Sequence, residues 1–438
     1  MKIEISQDDS EYMYNIIQKI IDDAGCRMPC SPQEAKGAEI IKKELEQICD
    51  EVAIEPFTCH PRAFLGWIKV DILLVLLSMG CFYLSLLSTN RVWVLALVSL
   101  AFGLNIIAFF IVWNEFFNYR ETVDKFWKKK SSQNVVGKIK AKGELEKIII
   151  FSGHHDSALQ FNLLRYLKAG YAIIIFLGFG ILFIWIITSG FILLLVWASF
   201  FSPSFIITAF FSGFVNWLLL IGAVPLIGLL FFVTPGERAN KVPGAVDNLS
   251  AVAVVLSMGR YLKKNADIIP KNTEIRLISF GCEEAGLRGA YCYVKAHLEE
   301  LKKYNAVDVN MDGIQSAKSA IIVEFEPTTR TKHSKEVVDK LLKAAELVGV
   351  KAKPLGTKFI EKLIGQISGG TDACAFSKSG IKAANISAME IRKFIKFYHQ
   401  PQDRLEMIDR GALENVLKIC IGFLINEKRI MTESKSDV

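Results

Sequence analysis

The chain has 438 residues, of which 51% are hydrophobic, and its mean hydropathy is +0.32. Soluble proteins of this length usually have a smaller apolar fraction, so the composition argues against a wholly soluble protein. The formal net charge of +7 does not indicate a nucleic-acid-binding protein, because no basic stretch is interleaved with aromatic residues.

The N-terminal polar stretch is predicted to form two helices and a strand. Ser31-Pro32-Gln33-Glu34 has the pattern of a capping box with proline at the first helical position. Residues 52–57 alternate as in a strand. The first residues are polar and acidic, which predicts no secretory signal peptide. Nine cysteines occur without zinc-finger spacing, which predicts mostly free thiols in a reducing compartment.

Two apolar blocks interrupt the polar sequence. In the first, residues 72–90 and 92–114 carry no charged side chain, and each is close to the ~20 residues that a membrane-spanning helix needs. In the second, residues 169–236 contain no Asp, Glu, Lys, Arg or His. We expect two crossings there, at 169–200 and 205–233, separated by Ser202-Pro203-Ser204. This predicts four membrane helices in total, and it stays open whether residues 190–212 span the bilayer or lie at its interface.

The charges beside these blocks predict an orientation. Positive residues concentrate on the side where both hairpins begin and end, whereas the opposite side has only Arg91. Because positive flanks stay in the cytoplasm, the polar domain is expected to be cytoplasmic. The flanking residues are Lys69, Arg120, Lys125, Lys128, Lys129, Lys130, Arg165, Lys168, Arg238 and Lys241.

The polar sequence around and after the second block alternates between strand and helix patterns. This alternation predicts a three-layer α/β/α sandwich with a mostly parallel sheet. An apolar run at residues 148–151 is typical of a buried central strand. The predicted strands are 135–139, 147–152, 274–280, 306–311, 320–325 and 381–386, and the predicted helices are 249–262, 285–303, 335–347 and 413–426.

Polar residues follow several of these strands, at the edge of a parallel sheet where ligands bind. His154 follows the strand that ends at Ser152, Glu284 follows the next, and Asp312 follows a third. Such a ligand set without cysteine suits zinc, and also manganese or cobalt.

Two neighbouring metal ions need a shared carboxylate and two further ligands each, and the chain can supply both sets. Asp247 is the candidate bridge. His154 and Asp312 would complete one metal site, and Glu284 and His399 the other. A pair of metal ions polarises a carbonyl and generates a hydroxide at neutral pH.

Two further acidic residues have candidate catalytic roles. Glu283, beside Glu284 but not a ligand, is placed to take the proton of the attacking water. Asp156 is placed to bind the far nitrogen of His154 and to fix its tautomer. His155 is interpreted as a packing residue, because it would point away from His154.

These residues stand in segments that resemble those of the co-catalytic di-zinc aminopeptidases, the aminopeptidase Y and bacterial leucyl aminopeptidase group. All five ligand positions are occupied in the family's order. The matching segments are Ser152-Gly153-His154-His155-Asp156-Ser157, Gly244-Ala245-Val246-Asp247-Asn248, Glu283-Glu284-Ala285-Gly286-Leu287-Arg288-Gly289, Asn310-Met311-Asp312, Gly369-Gly370-Thr371-Asp372 and Tyr398-His399-Gln400-Pro401-Gln402-Asp403.

The resemblance implies an enzyme that hydrolyses N-terminal residues from peptides with two zinc ions, for which manganese or cobalt could substitute. It also implies that Gly370 and Asp372 lie near the substrate pocket, and that Tyr398 helps to stabilise the oxyanion. On this basis the peptidase domain comprises 1–65, 115–165 and 237–438, interrupted by transmembrane hairpins at 66–114 and 166–236.

The long insertion between two ligands constrains the topology. About 90 residues separate His154 from Asp247. Both must reach the same metal, so the chain has to leave and re-enter on one side, which requires an even number of crossings.

The resemblance and the apolar blocks together imply the partners. We expect peptide substrates and the lipid bilayer, and no nucleic acid. Whether the chain forms a homo-oligomer stays open.

Four alternatives remain. A glutaminyl cyclase of the same superfamily would use one zinc, and a dipeptide carboxypeptidase would need an arginine-rich pocket that the sequence does not reveal. Non-catalytic relatives of this fold, the transferrin receptor and nicastrin, have lost ligands, whereas this chain retains them all. A transporter is disfavoured, because the apolar segments lack interior ionisable residues.

Overall fold

The computed structural model describes residues 3–168, 170–201, 209–234, 236–358 and 369–436. The chain divides into two compact units. The polar unit comprises Met1–Pro61, Lys128–Gln160 and Gly236–Val438, and the apolar unit comprises Arg62–Trp127 and Phe161–Pro235. The predicted break at Ser202-Pro203-Ser204 lies outside the described residues.

The polar unit is built on an eight-stranded sheet with the order β1-β2-β4-β3-β5-β10-β6-β9. Its four central strands, β4, β3, β5 and β10, are parallel, whereas β1, β2 and β6 join antiparallel neighbours. The strands are β1 Glu51–Cys59, β2 Lys130–Ile139, β3 Lys147–His154, β4 Thr273–Phe280, β5 Val307–Ile314, β6 Ala320–Val323, β7 Phe325–Glu326, β8 Thr331–Lys332, β9 Ala352–Leu355 and β10 Lys382–Ala388.

Helices cover both faces of this sheet, which confirms the predicted three-layer sandwich. Helices α1, α2, α8, α10 and α13 share one apolar core, and α9 and α11 share the core on the opposite face. The helices of the polar unit are α1 Gln7–Ala24, α2 Pro32–Glu46, α8 Ser250–Lys264, α9 Arg288–Lys303, α10 Lys335–Leu347, α11 Ala373–Lys378, α12 Ile391–Phe397 and α13 Ala412–Ser436.

The central strand β3 explains why the sheet is buried on both sides. Side chains alternate between the faces of a strand. Accordingly, Ile149 and Phe151 pack in the first core, while Ile148 and Ile150 pack in the second, all fully buried. Burial of each such side chain contributes about 1.5–3 kcal/mol. This strand therefore anchors both layers and fixes the position of the residue at its end.

The apolar unit contains α3 Ala63–Leu86, α4 Arg91–Glu115, the short α5 Asn162–Leu167, α6 Gly170–Ala198 and α7 Ala209–Leu229. Within the described residues, α3, α4 and α6 are long and apolar enough to cross a membrane, and Gly213–Leu229 forms a shorter apolar segment. Asn90 caps the N-terminus of α4, where its side chain accepts hydrogen bonds from the backbone N–H groups of Val92 and Trp93. Helix α3 begins at Ala63, so it includes Lys69 and Asp71, which precede the charge-free residues 72–90.

Candidate metal centre

The five predicted ligands lie at one edge of the sheet, on five different segments. His154 is the last residue of β3, which extends beyond the predicted end at Ser152. Asp312 lies inside β5 rather than after it, because β5 continues to Ile314. Asp247 lies in the turn before α8, Glu284 in the turn after β4, and His399 shortly after α12.

The carboxylate of Asp247 lies between the two imidazoles. Its Oδ1 is 3.3 Å from Nε2 of His154, and its Oδ2 is 3.4 Å from Nε2 of His399. Asp312 Oδ2 lies 4.0 Å from Nε2 of His154, and Glu284 Oε2 lies 3.5 Å from Nε2 of His399. These separations bring all five residues together around the carboxylate of Asp247.

The distances also allow the candidate ligands to be divided between two metal sites in another way. Ligand atoms of His154, Glu283 and Asp312 lie within 4.8 Å of one another, and so do those of His154, Asp247 and Glu284. The second imidazole adds a further contact, because Nε2 of His399 lies near oxygens of both Asp247 and Glu284. This contact favours the grouping of Glu284 with His399.

The chemistry of this cluster fits divalent cations. Nε2 of His154 faces oxygens of Asp247, Glu283 and Asp312 at 3.3, 3.7 and 4.0 Å, and it makes no hydrogen bond within the described part of the chain. Buried carboxylates are unfavourable unless a positive charge compensates them. Nitrogen and oxygen donors without sulfur are a zinc ligand set. The residues present therefore fit two zinc ions.

Burial dominates the protonation of the acidic residues. It raises the pKa of Glu283 well above the usual range, and the negative charges of Glu284 and Asp372 add to this effect. Burial likewise raises the pKa of Asp312. For Asp247 burial acts in the same direction, but the contacts with the two histidines outweigh it and lower its pKa. Asp247 is therefore the carboxylate that stays ionised between the imidazoles.

Asp156 orients three neighbouring groups. Its Oδ1 lies 3.3 Å from Nδ1 of His154. The same oxygen accepts a hydrogen bond from the backbone N–H of Glu283, at 3.0 Å, and Oδ2 accepts one from that of Glu284, at 3.1 Å. One carboxylate thus fixes a candidate ligand and the turn that carries both glutamates.

Two buried residues that the sequence did not single out hold this arrangement together. Asp403 accepts hydrogen bonds from the backbone N–H groups of Val246 and Asp247, at 2.7 and 3.1 Å. Arg27 donates from Nε to the carbonyl oxygen of His155 at 2.7 Å and from Nη2 to that of Pro243 at 2.8 Å. In the sequence, only the position of Asp403 at the end of a family-like segment pointed to a role for it. No sequence pattern pointed to Arg27.

The remaining residues considered in the sequence analysis, which are not candidate ligands, lie as follows. His155 points away from the cluster, with Nδ1 at 2.9 Å from Ser279 Oγ, and burial lowers its pKa to about 4. Asp372 immediately precedes α11 and is 1% exposed, and its side chain makes no capping hydrogen bond. At Gly370 a Cβ would lie 2.5 Å from Cγ2 of Thr329, so a larger residue would force a shift. The Tyr398 ring centroid lies 3.9 Å from that of His399.

Comparisons with known proteins agree with this geometry. Residues 232–424 match the family model described as Peptidase family M28. Aminopeptidase YwaD of Bacillus subtilis is 32% identical over 174 residues, which are 39% of this chain and 35% of the relative. The chain therefore aligns with about a third of that relative's length. The predicted resemblance to zinc aminopeptidases is confirmed.

Solved structures share the fold. The structure of BSAP, a zinc aminopeptidase from Bacillus subtilis, has a TM-score of 0.51 and 16% identity, with 95% of each chain covered. A glutaminyl cyclase from Fimbriiglobus ruber has a TM-score of 0.53 and 10% identity, with 97% of each chain covered. Both likenesses confirm the fold.

Proposed function

We propose that this chain, which carries a peptidase family M28 domain, is a membrane-embedded zinc aminopeptidase that removes N-terminal residues from peptides. The observation that carries the proposal is the carboxylate of Asp247 between the imidazoles of His154 and His399. His154 and Asp312 would hold one zinc ion, and Glu284 and His399 the other, with Asp247 shared. Bound zinc supplies Lewis-acid polarisation of the peptide carbonyl and lowers the pKa of water.

The remaining chemistry falls to Glu283. It is buried beside His154, and a carboxyl group at this place can both accept and release a proton. It would take a proton from the attacking water and deliver it to the leaving amine. Asp156 would keep Glu283 in place, because it holds the backbone N–H of that residue.

The glutaminyl cyclase alternative shares the fold, so architecture does not separate the two activities. Two observations favour the aminopeptidase. Both imidazoles are present with a carboxylate between them, which supports two metal ions rather than one. A relative that is 32% identical over 174 residues, YwaD of Bacillus subtilis, is also named an aminopeptidase.

The membrane setting is part of the proposal. Helices α3, α4 and α6 support anchoring in a bilayer. The positive residues beside both apolar blocks, such as Lys128, Lys129 and Arg238, favour a cytoplasmic polar unit. Four crossings and peptide substrates released at the membrane remain predictions of this account.

The test is Glu283→Gln. The amide keeps the size of the side chain but cannot accept the proton, so hydrolysis of aminoacyl-nitroanilides should fall by roughly 10²–10⁴-fold while bound zinc is unchanged. Glu284→Gln is the matched control, because loss of a ligand should lower the zinc content. Turnover by Glu283→Gln at the wild-type rate would refute the assigned role.

A further inference from the structure

Three cysteine side chains converge beside the metal centre, although they are distant in sequence. Sγ of Cys30 lies 3.5 Å from Sγ of Cys59 and 3.4 Å from Sγ of Cys282, and the last two are 3.8 Å apart. The three pairs are separated by 29, 252 and 223 residues. Cys30 precedes α2, Cys59 ends β1, and Cys282 follows β4 immediately before Glu283.

These separations match a metal site. Two thiolates on a tetrahedral zinc ion, each with a Zn–S bond of about 2.3 Å, lie about 3.8 Å apart. A disulfide would need the sulfur atoms at about 2.05 Å. Ligand atoms of all three cysteines lie within the distance at which one ion could bind them. Three thiolates form a soft ligand set, distinct from the nitrogen and oxygen set at Asp247.

A buried carboxylate positions two of the three cysteines. Glu34 is 1% exposed. Its Oε2 accepts a hydrogen bond from the backbone N–H of Cys30 at 2.8 Å, and its Oε1 accepts one from that of Cys282 at 3.0 Å. Simple apolar packing of thiols would not require a buried carboxyl group at this place. Carboxylates in this position commonly orient the residues that bind a metal.

We propose that Cys30, Cys59 and Cys282 bind a third metal ion of the zinc class, outside the di-zinc centre. Cys30 is partly exposed, so water can complete the tetrahedron. Binding releases the three thiol protons to solvent as the thiolates coordinate the ion. The ion ties the end of β1 and the start of α2 to the turn that carries Glu283 and Glu284. Its role is structural support of that turn.

The test is zinc X-ray absorption spectroscopy of the full purified chain. The di-zinc centre contains no sulfur, and the cluster of Glu326, His333 and Cys374 offers only one sulfur atom. A Zn–S shell at about 2.3 Å with three sulfur atoms per chain therefore reports the three-cysteine site. The proposal predicts such a shell. It also predicts one more zinc ion per chain than the di-zinc centre holds. A wild-type spectrum that lacks the sulfur shell overturns the proposal, whatever the activity.

Variants identify the ligands. Cys30→Ser and Cys59→Ser should each lose the sulfur shell and one zinc ion, whereas Cys49→Ser, which changes a half-buried thiol elsewhere, should behave as wild type. Retention of the full sulfur shell by Cys59→Ser contradicts the site. A disulfide between two of the three cysteines, detected by mass spectrometry after alkylation without reduction, also contradicts it. Because the sulfur signal does not depend on turnover, its failure is distinct from failure of the aminopeptidase proposal.

Discussion

Asp403 shows how a residue outside the candidate ligand set can fix the geometry of a residue inside it. Its two carboxylate oxygens hold the backbone N–H groups of Val246 and Asp247, and it is fully buried. Asp247 can present one oxygen to each imidazole only if its backbone is fixed. The bridge thus depends on a carboxylate that is distant in sequence.

Replacement of Asp403 by asparagine tests this dependence. The amide has one acceptor oxygen, so one of the two N–H groups would face an NH₂ group and lose its partner. We expect zinc affinity, measured by competition with a chelator, to fall by roughly 10–100-fold. Asp339→Asn, on the exposed surface of α10, is the control and should leave the affinity unchanged. Equal affinity in both variants would show that Asp403 does not position the bridge.

The buried carboxyl group of Asp308 should make the stability of the folded protein depend on pH. Burial raises its pKa to about 8 in the folded protein, and Ser152 Oγ donates a hydrogen bond to its Oδ1 at 2.7 Å. An unfolded aspartate has a pKa of about 3.9. Because the folded state retains the proton to higher pH, this contribution to stability is complete below about pH 4 and is lost as the pH rises towards 8.

Asp308→Asn removes this titration but keeps an acceptor for Ser152. The thermal unfolding midpoint of the variant in detergent should therefore decrease less than that of wild type between about pH 5 and 9. Parallel pH curves for the two proteins would mean that Asp308 is ionised in the folded state.

At the scale of elements, hydrophobic pattern predicted the regular structure well. The predicted helix at 335–347 coincides with α10, and the apolar run at 148–151 lies in the centre of β3. The errors concerned the residues at which strands end. The sequence did not show that β5 continues through Asp312, because β10 stabilises this extension by pairing, a contact with a distant segment.

Within the apolar unit, polar contacts between helices replace the hydrophobic effect as a source of specificity. Ser78 of α3 donates from Oγ to the carbonyl oxygen of Ala101 at 2.7 Å and accepts from Nε1 of Trp185 at 2.9 Å. Asn105 of α4 donates to Oγ of Ser189 at 3.0 Å. These bonds join α3, α4 and α6.

Ser78→Ala should weaken this packing. It leaves the buried indole N–H of Trp185 without its acceptor, and the expected loss is about 0.6–2 kcal/mol, measured as a lower unfolding midpoint in detergent. Ser99→Ala, at an exposed position of α4, should have no effect. A decrease of equal size in both variants would point to a general loss of helix stability instead.

At the scale of the whole molecule, the motif order pointed to the five residues that meet around Asp247, because each stands in a segment with its own signature. Spatial relations without a local signature were missed. Cys30, Cys59 and Cys282 are unremarkable in sequence, and only the fold brings them together. Arg27 was missed for the same reason, since its partners are carbonyl oxygens that no pattern marks.

The central claim is that this protein hydrolyses N-terminal residues from peptides with two metal ions and Glu283. Mass spectrometry of products from one defined peptide, with a free or an acetylated N-terminus, tests it most directly. We predict that purified protein shortens the free peptide by its first residue, that a chelator stops this, and that the acetylated peptide stays intact. Shortening from the C-terminus, loss of ammonia from an N-terminal glutamine without cleavage, or no change in either peptide would contradict the account.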